Sequence, residues 1–519
     1  MRAPVPLLFL AVLHAASPGT VAAGEQPLPT SSGVEQLGVG WPKGQALPSQ
    51  APLSPDLLQR LGTLRMEDAV AISEQRNPTV REAYEQLLAT QNSLGSAYAT
   101  WWPTINQSFN GGIYGERAYY NYAGALTGIG SPATGPAAKA TAFTGSYFQS
   151  LDQFDISWNL FDPQRTPTIW KNKYLVRQAA DAYVIARRDN RLRTQEAYIN
   201  LQSALATILT SQQLVANDQL LSQIAAARVR QGIASKLELA KQDTVLKADQ
   251  VNLVLAKQTA QEAQASLAEQ MSVIEAASIE PKVPLEPLGS WTHSLEATIT
   301  SAMQYRKVIE QQLMAVKANE AQAQINLAVY RPTIALVNSL YWTKGAGYTS
   351  IGPPWQQAAR SDLWNGSALL QISFTGFDGG QARMSAAAAM KQAKASEAAY
   401  QAAVNQVRRE CQSYYAQTQQ GREAVLLSAG RVKAASNALR LQSLRFNAGY
   451  GTVTDVVQAQ QDLTQAVSSY IDVLSNYNIA LVTLARVSGL AFQQDADLAT
   501  AVGNPLDRLS LPNRLQRVR

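Results

Sequence analysis

The chain states nearly the same thing twice, and that repetition limits the folds open to it. Met66-Glu67-Asp68-Ala69 leads to Trp102-Pro103-Thr104-Ile105, and Leu295-Glu296-Ala297 leads to Arg331-Pro332-Thr333-Ile334. Both landmark pairs stand 229 positions apart, Glu67 from Glu296 and Pro103 from Pro332. Further on, Phe161-Asp162 answers Phe377-Asp378 at a spacing of 216, and Arg228–Gly232 answers Arg445–Gly449 at 217. The spacing changes only between the Pro-Thr-Ile and Phe-Asp landmarks. The first half therefore holds about 13 extra residues there, the mark of a length-tolerant loop inside a duplicated helix–strand–strand–helix unit.

Each half contains very long helices. From Met66 to about Trp101 the pattern is helical, interrupted at Asn77-Pro78 and ended by Pro103. Pro163–Arg230 is dense in Ala, Gln, Leu and Arg, with no proline beyond Pro167. At ~1.5 Å per residue it predicts a rod of roughly 100 Å. Gly232 ends it and Lys236–Ile274 runs back; Gln381–Phe446 and Val453–Val487 repeat the plan around Gly449 and Gly451. Such rods far exceed the about 10–14 residues of an ordinary globular helix, so they must pack lengthwise on one another. The seam is legible: Val404, Cys411, Thr418, Val425, Val432, Leu439 and Phe446 recur every seven residues, as do Leu201, Ile208 and Val215. A seven-residue repeat specifies a left-handed coiled coil. Cys411 reads as a small core hydrophobe within that seam.

Between the helices lie four strand patterns, about 104–114, 147–160, 332–342 and 364–376. Phe154, Ile156, Trp158 and Leu160 alternate with Asp155, Ser157 and Asn159, and Ala368, Leu370, Ile372 and Phe374 alternate with Leu369, Gln371 and Ser373. Ile105, Phe109 and Ile113 share a face, as do Ile334, Leu336, Leu340 and Trp342. Aromatic residues punctuate the ends (Tyr114, Tyr147, Trp158, Tyr341, Trp342, Trp364). Strands with one apolar face and aromatic ends predict a barrel that crosses an outer membrane. Four strands cannot close one, since the smallest spanning barrels need about eight and an open edge cannot face lipid. Several chains must pool their strands, two giving eight or three giving twelve. The loops Gly115–Ser146 and Lys344–Asp362 fall at the far ends of these strands.

Met1–Ala23 has the basic start, apolar stretch and small-residue cleavage site of a secretory signal. The expected organisation is then a flexible Pro/Ser/Gly/Gln-rich leader (24–63), a first repeat (64–278), a Pro-rich linker (279–292), a second repeat (293–490) and a short basic tail (491–519). No cysteine follows the cleavage site, and the only one, Cys411, has no partner for an internal disulfide. A net charge of +6 over 519 residues, with scattered basic groups, points away from nucleic acid. His293 is the one histidine after the signal, at a linker–helix boundary, so neither a His/Cys metal cluster nor a His-based catalytic set is available. The chain reads as a non-enzyme without cofactor or metal.

With signal, duplication, strand pairs and rod helices together, the chain resembles the TolC-like outer-membrane efflux and secretion channels from about Leu64 to Leu490. The most specific part is Gly449–Gln460, similar to that family's turn into its last long helix. Trp158–Asp162 and Ile372–Asp378 resemble its strand-to-helix junctions. The resemblance implies a mainly α fold and a homotrimer, with a twelve-stranded barrel in outer-membrane lipid continuing into a twelve-helix periplasmic tunnel. It implies a passive duct, for efflux or type I secretion, whose tip opens when a periplasmic adaptor protein and an inner-membrane pump or ABC exporter dock. Two readings without transport stand beside it: a periplasmic coiled-coil scaffold and a surface-exposed structural barrel.

The functional points are then the two tips. Gly232 and Gly449 reverse long helices, and glycine tolerates the positive φ of a tight reversal. Arg228 and Arg445 precede them by four residues, either complementing the helix dipole or meeting the adaptor together with Gly232, Phe446, Gly449 and Gly451. Asp455 and Glu238 each follow a tip glycine by six residues. They suit a helix start, and in an oligomer one acid per chain becomes a ring that selects cations. By resemblance, Asp455 matches one of two gate acids, the second position being Gln458. A tip latch of acid, tyrosine and arginine is matched by Glu238, Phe446 and Gly451, which lack the hydroxyl and the charge.

Overall fold

The computed structural model describes residues 61–120, 141–232, 235–273, 279–351, 356–448 and 450–495, and single positions 498, 500 and 502. The expected signal, most of the expected leader, the centre of the expected loop 115–146, Gly449 and the basic end of the tail lie outside them.

The duplication holds element by element. In the first half, α1 (Met66–Arg76) and α2 (Pro78–Ala99) precede β1 (Thr104–Tyr120) and β2 (Thr141–Phe161). Then come α3 (Arg165–Arg230) and α4 (Lys236–Met271). The second half gives α5 (Leu295–Tyr305), α6 (Lys307–Ala328), β3 (Thr333–Ile351), β4 (Gln356–Ser373), α7 (Gln381–Asn447) and α8 (Val453–Ser488). Paired helices match in length: 11 and 11, 22 and 22, 66 and 67, 36 and 36 residues. The break between α1 and α2 follows from Asn77, whose side chain accepts from Thr79 N at 2.9 Å, and from Pro78 at N1. Its counterpart at Arg306 has no proline. There the extended backbone is accompanied by a guanidinium bound to Glu410 at 3.0 Å.

The long helices pack along their length. α3 lies against α4 and α8 towards its C-terminus and against α2 and α6 nearer its start. The seven-residue row of α7 faces inward: Cys411, Thr418, Val425, Val432, Leu439 and Phe446 are all buried. Leu201 and Val215 are buried on α3, with Ile208 half-buried between them. The main core joins this row to Val456, Leu463, Val467, Tyr470, Leu474 and Tyr477 of α8. Burying each such side chain contributes about 1.5–3 kcal/mol.

The four strands form one antiparallel sheet in the order β1-β2-β3-β4. Cross-strand register sorts its faces. Ile105 stands opposite Ile156, Phe154 opposite Leu340, Leu336 opposite Leu370 and Trp342 opposite Trp364, all on one face. The other face stacks Asn106, Asp155, Ser339 and Ser367 in one row and Ser108, Gln153, Tyr341 and Asn365 in the next. Ser339 Oγ and Gln153 Nε2 both donate to Asp155, and Asn365 Nδ2 donates to the Tyr341 hydroxyl at 2.9 Å. One face therefore suits lipid and the other water. Gln107 and Asp152, polar residues on the apolar face, satisfy each other at 3.1 Å. At the sheet's base Arg165 is buried, its guanidinium 4.2 Å from the Trp101 ring centroid and donating to Asn159 O.

Three boundaries differ from expectation. The strands continue well past residues 114 and 342 and begin before 147 and 364, so much of Gly115–Ser146 and Lys344–Asp362 is strand rather than loop. Their Gly, Ala and Tyr content hides the alternation, while backbone pairing continues through them. At the other end β3 and β4 stop at Thr333 opposite Ser373, because Pro332 has no amide to extend the ladder. Residues 61–63, expected to belong to the flexible leader, are also part of the described fold. Leu61 is fully buried beside Met271 and Val273, and its carbonyl accepts from Glu280 N at 3.0 Å. The Pro-rich segment is likewise fixed, with Gly289 O accepting from the Tyr477 hydroxyl and Glu286 O from Asn478 Nδ2.

Candidate functional site

Each tip is a helix reversal closed by its own hydrogen bonds. At the first, Gly232 follows the last turn of α3 with φ +77° and its N–H donates to Val229 O at 3.1 Å. Ser235 then caps α4, its hydroxyl accepting from Glu238 N at 3.2 Å. At the second, Tyr450 N donates back to Arg445 O at 3.0 Å, the longer bond of a Schellman turn. Gly451 packs so closely that an added Cβ would stand 3.1 Å from Phe446 N. The predicted turn glycine Gly449 is outside the described residues.

Asp455 sits at the third position of α8 in a complete capping box. Its carboxylate accepts from Thr452 N at 3.1 Å, and its own N–H donates to the Thr452 hydroxyl at 3.2 Å. The Thr452 backbone N–H chiefly, with its hydroxyl and the Arg445 charge adding, holds the carboxyl below its ordinary range. Asp455 is thus exposed and ionised, as a helix-start acid, in the single chain. Glu238, at the matching place on α4, is half-buried.

The two tips meet through Arg228 and Phe446. The guanidinium of Arg228, in the last turn of α3, lies 4.6 Å from the centroid of the Phe446 ring, which closes the α7 seam and is 7% exposed. No local pattern in the sequence pairs these residues, since they belong to opposite halves. Phe446 stands where the resemblance places a tyrosine and lacks the hydroxyl, and here its ring face takes the Arg228 cation. Arg445 stays exposed. Gln458 is exposed too, and its Nε2 donates to Asp462 Oδ1 at 3.1 Å. Asp462 is a residue the sequence reading missed. It is exposed seven residues after Asp455, on the same face of α8, and that spacing was the available signal.

Nothing else assembles reaction chemistry among the described residues. They hold no group of three or more His, Cys, Asp or Glu fit for a metal ion, and no helix long and apolar enough to cross a membrane. His293 is half-buried with Nε2 3.2 Å from Ala491 O and its ring edge-on to Trp291.

A sheet with a lipid-suited and a water-suited face, continuous with a duplicated coil of about 100 Å helices, defines a subunit of an outer-membrane channel. The profile of the outer membrane efflux protein family matches residues 70–271 and 298–490, and the chain belongs to that family. As a member of that family it is a transport protein of the outer membrane, not an enzyme. Solved structures share its fold. A membrane protein from Pseudomonas aeruginosa is 18% identical with a TM-score of 0.65, the match covering 82% of this chain and 93% of that one. The outer membrane protein VceC from Vibrio cholerae is 16% identical with a TM-score of 0.59, covering 85% and 100%. The Campylobacter jejuni CmeC outer membrane channel is 15% identical with a TM-score of 0.61, covering 89% and 93%. A search of curated protein sequences gave no significant match.

Proposed function

We propose that three copies of this chain pool their sheets into a twelve-stranded barrel and their coils into a tunnel, forming the exit duct of a tripartite efflux pump. The observation that carries this reading is the two-faced, four-stranded sheet, whose edge strands β1 and β4 each lack a second neighbour among the described residues. In lipid those edges would leave rows of backbone groups unpaired, and closure with further copies removes them. The same duct would serve a type I secretion system.

The tips are the gate and the docking point. Tip residues Arg228, Gly232, Phe446, Arg445, Gly449 and Gly451 would meet a periplasmic adaptor that couples the duct to an inner-membrane pump or ABC exporter. The exposed Tyr450 and Arg445 offer an aromatic and a cation at that end. Asp455 would supply a carboxylate ring at the narrow end of the tunnel, with Glu238 and Gln458 beside it and Asp462 two helical turns along. The capping box supports a ring that keeps its charge, because Thr452 stabilises each carboxylate separately.

Planar-bilayer conductance with a trivalent cation added from the periplasmic side tests the gate. Asp455→Asn keeps an oxygen that accepts from Thr452 N, so the helix start survives while the charge is lost. The block should weaken and cation selectivity fall, with Glu238→Gln doing less. A mutant channel blocked as tightly as the wild type would leave Asp455 a capping residue only.

A further inference from the structure

A polar layer interrupts the apolar seam about 20 Å above the first tip, counting ~1.5 Å per residue back from Gly232. Asp218 occupies the seven-residue row Ser211, Asp218, Ala225 of α3 and is 1% exposed. Gln242 of α4 and Gln460 of α8 close over it, 2% and 3% exposed. Gln460 Nε2 donates to Asp218 Oδ1 at 2.9 Å, and Gln242 Nε2 approaches the same oxygen at 3.5 Å. Oδ2 is buried and meets no donor. The charged group that faces it is Asp249 of α4, itself half-buried; α8 presents Gln460. Among the described residues no lysine, arginine or histidine acts on this carboxyl.

An ionised carboxylate here would be desolvated, uncompensated and beside a second carboxylate. A neutral acid fits the same geometry. Its carbonyl oxygen takes the two carboxamide donors, and its hydroxyl is free to donate to Asp249. A metal ion fits less well, because both glutamines turn nitrogen rather than oxygen towards Asp218.

We propose that Asp218 is a proton-operated catch: while protonated it lets α8 seat against α3 and α4, and on losing its proton it loosens that seam above the tip. Burial first, and then Asp249, hold this carboxyl up at about 8. An unfolded chain releases the same proton near 3.8. The folded state therefore binds more protons throughout that interval, and stability falls as pH rises across it, levelling off above the folded value. The consequence for the pore rests on the channel reading, whereas the unfolding measurement does not, so the two fail separately.

The test uses the full-length protein in detergent with EDTA, its thermal unfolding followed by circular dichroism from about pH 5.5 to about pH 9.5. Asp218→Asn mimics the neutral acid. The wild-type melting temperature should fall by several degrees more than the mutant's over this range, the difference closing towards the acid end. Asp249→Asn, a half-exposed site that should fold even if the first variant does not, removes the facing charge and should move the levelling-off to lower pH. Equal pH slopes for wild type and Asp218→Asn, or an Asp249→Asn profile identical to wild type, would overturn the proposal. So would a wild-type gain in melting temperature on adding millimolar calcium or magnesium that Asp218→Asn lacks, since that would make the layer a cation site.

Discussion

Replacing Phe446 with leucine keeps an apolar side chain at the end of the α7 seam but removes the ring face under the Arg228 guanidinium. The cation lies 4.6 Å from the ring centroid and Arg228 is half-buried. Such a contact contributes about 0.5–1 kcal/mol. If it holds the two tips together, losing it shifts the closed–open balance about two- to fivefold, given that about 1.4 kcal/mol is tenfold. Arg228→Met removes the same contact from the other side while keeping the aliphatic stem. Both single variants and the double variant would be compared in planar bilayers for the fraction of time open. Each single change should raise that fraction about two- to fivefold, and the double should match a single rather than their product, because one shared contact is lost once. The leucine also changes seam packing, and the cycle cancels that common effect. Multiplicative effects, or single variants indistinguishable from wild type, would show that Arg228 and Phe446 do not latch the tips.

Ser73→Ala should destabilise the upper bundle by about 1–3 kcal/mol in chemical unfolding. Its buried hydroxyl donates to Gln270 O at 2.7 Å and accepts from Asn190 Nδ2 and Thr194 Oγ1; a change near zero would contradict this. Gly489→Ala should cost about 2–4 kcal/mol, combining a left-handed backbone with overpacking. The residue has φ +75° and a Cβ there would stand 2.4 Å from the Tyr305 ring, so an unchanged melting temperature would refute the placement. A short tag inserted near Gly130, between β1 and β2, should leave assembly intact and be labelled from outside the cell. Labelling only from the periplasm would invert the topology.

The long helices were legible because their order is periodic. The row from Cys411 to Phe446 is buried as its spacing demands, and α3, α4, α7 and α8 start or end within a few residues of their proline and glycine punctuation. Strand faces were legible too: Ile105, Ile156, Leu336 and Leu370 share the side that alternation assigns them. Strand ends were not, since the outer segments are rich in Gly, Ala and Tyr and carry no apolar alternation, while the strand pairing continues through them. At the tips, local chemistry gave the caps and reversals, because Thr452 with Asp455 and Gly232 act within a few residues of themselves. It could not give Arg228 on Phe446 or Gln460 on Asp218, which join residues about 200 or more positions apart whose meeting depends on how the two halves pack. A charged residue in a row of small ones, Asp218 between Ser211 and Ala225, was the visible trace of the second contact.

The claim that most depends on physics rather than likeness is that the open sheet edges close only by assembly. Its direct measurement is the mass of the detergent-solubilised particle, by light scattering corrected for bound detergent, alongside its circular dichroism. The account predicts three chains of 56.1 kDa each, less any removed signal, in a particle that separates into single chains only on boiling. A particle with the mass of one chain and full native helix and strand content would contradict it.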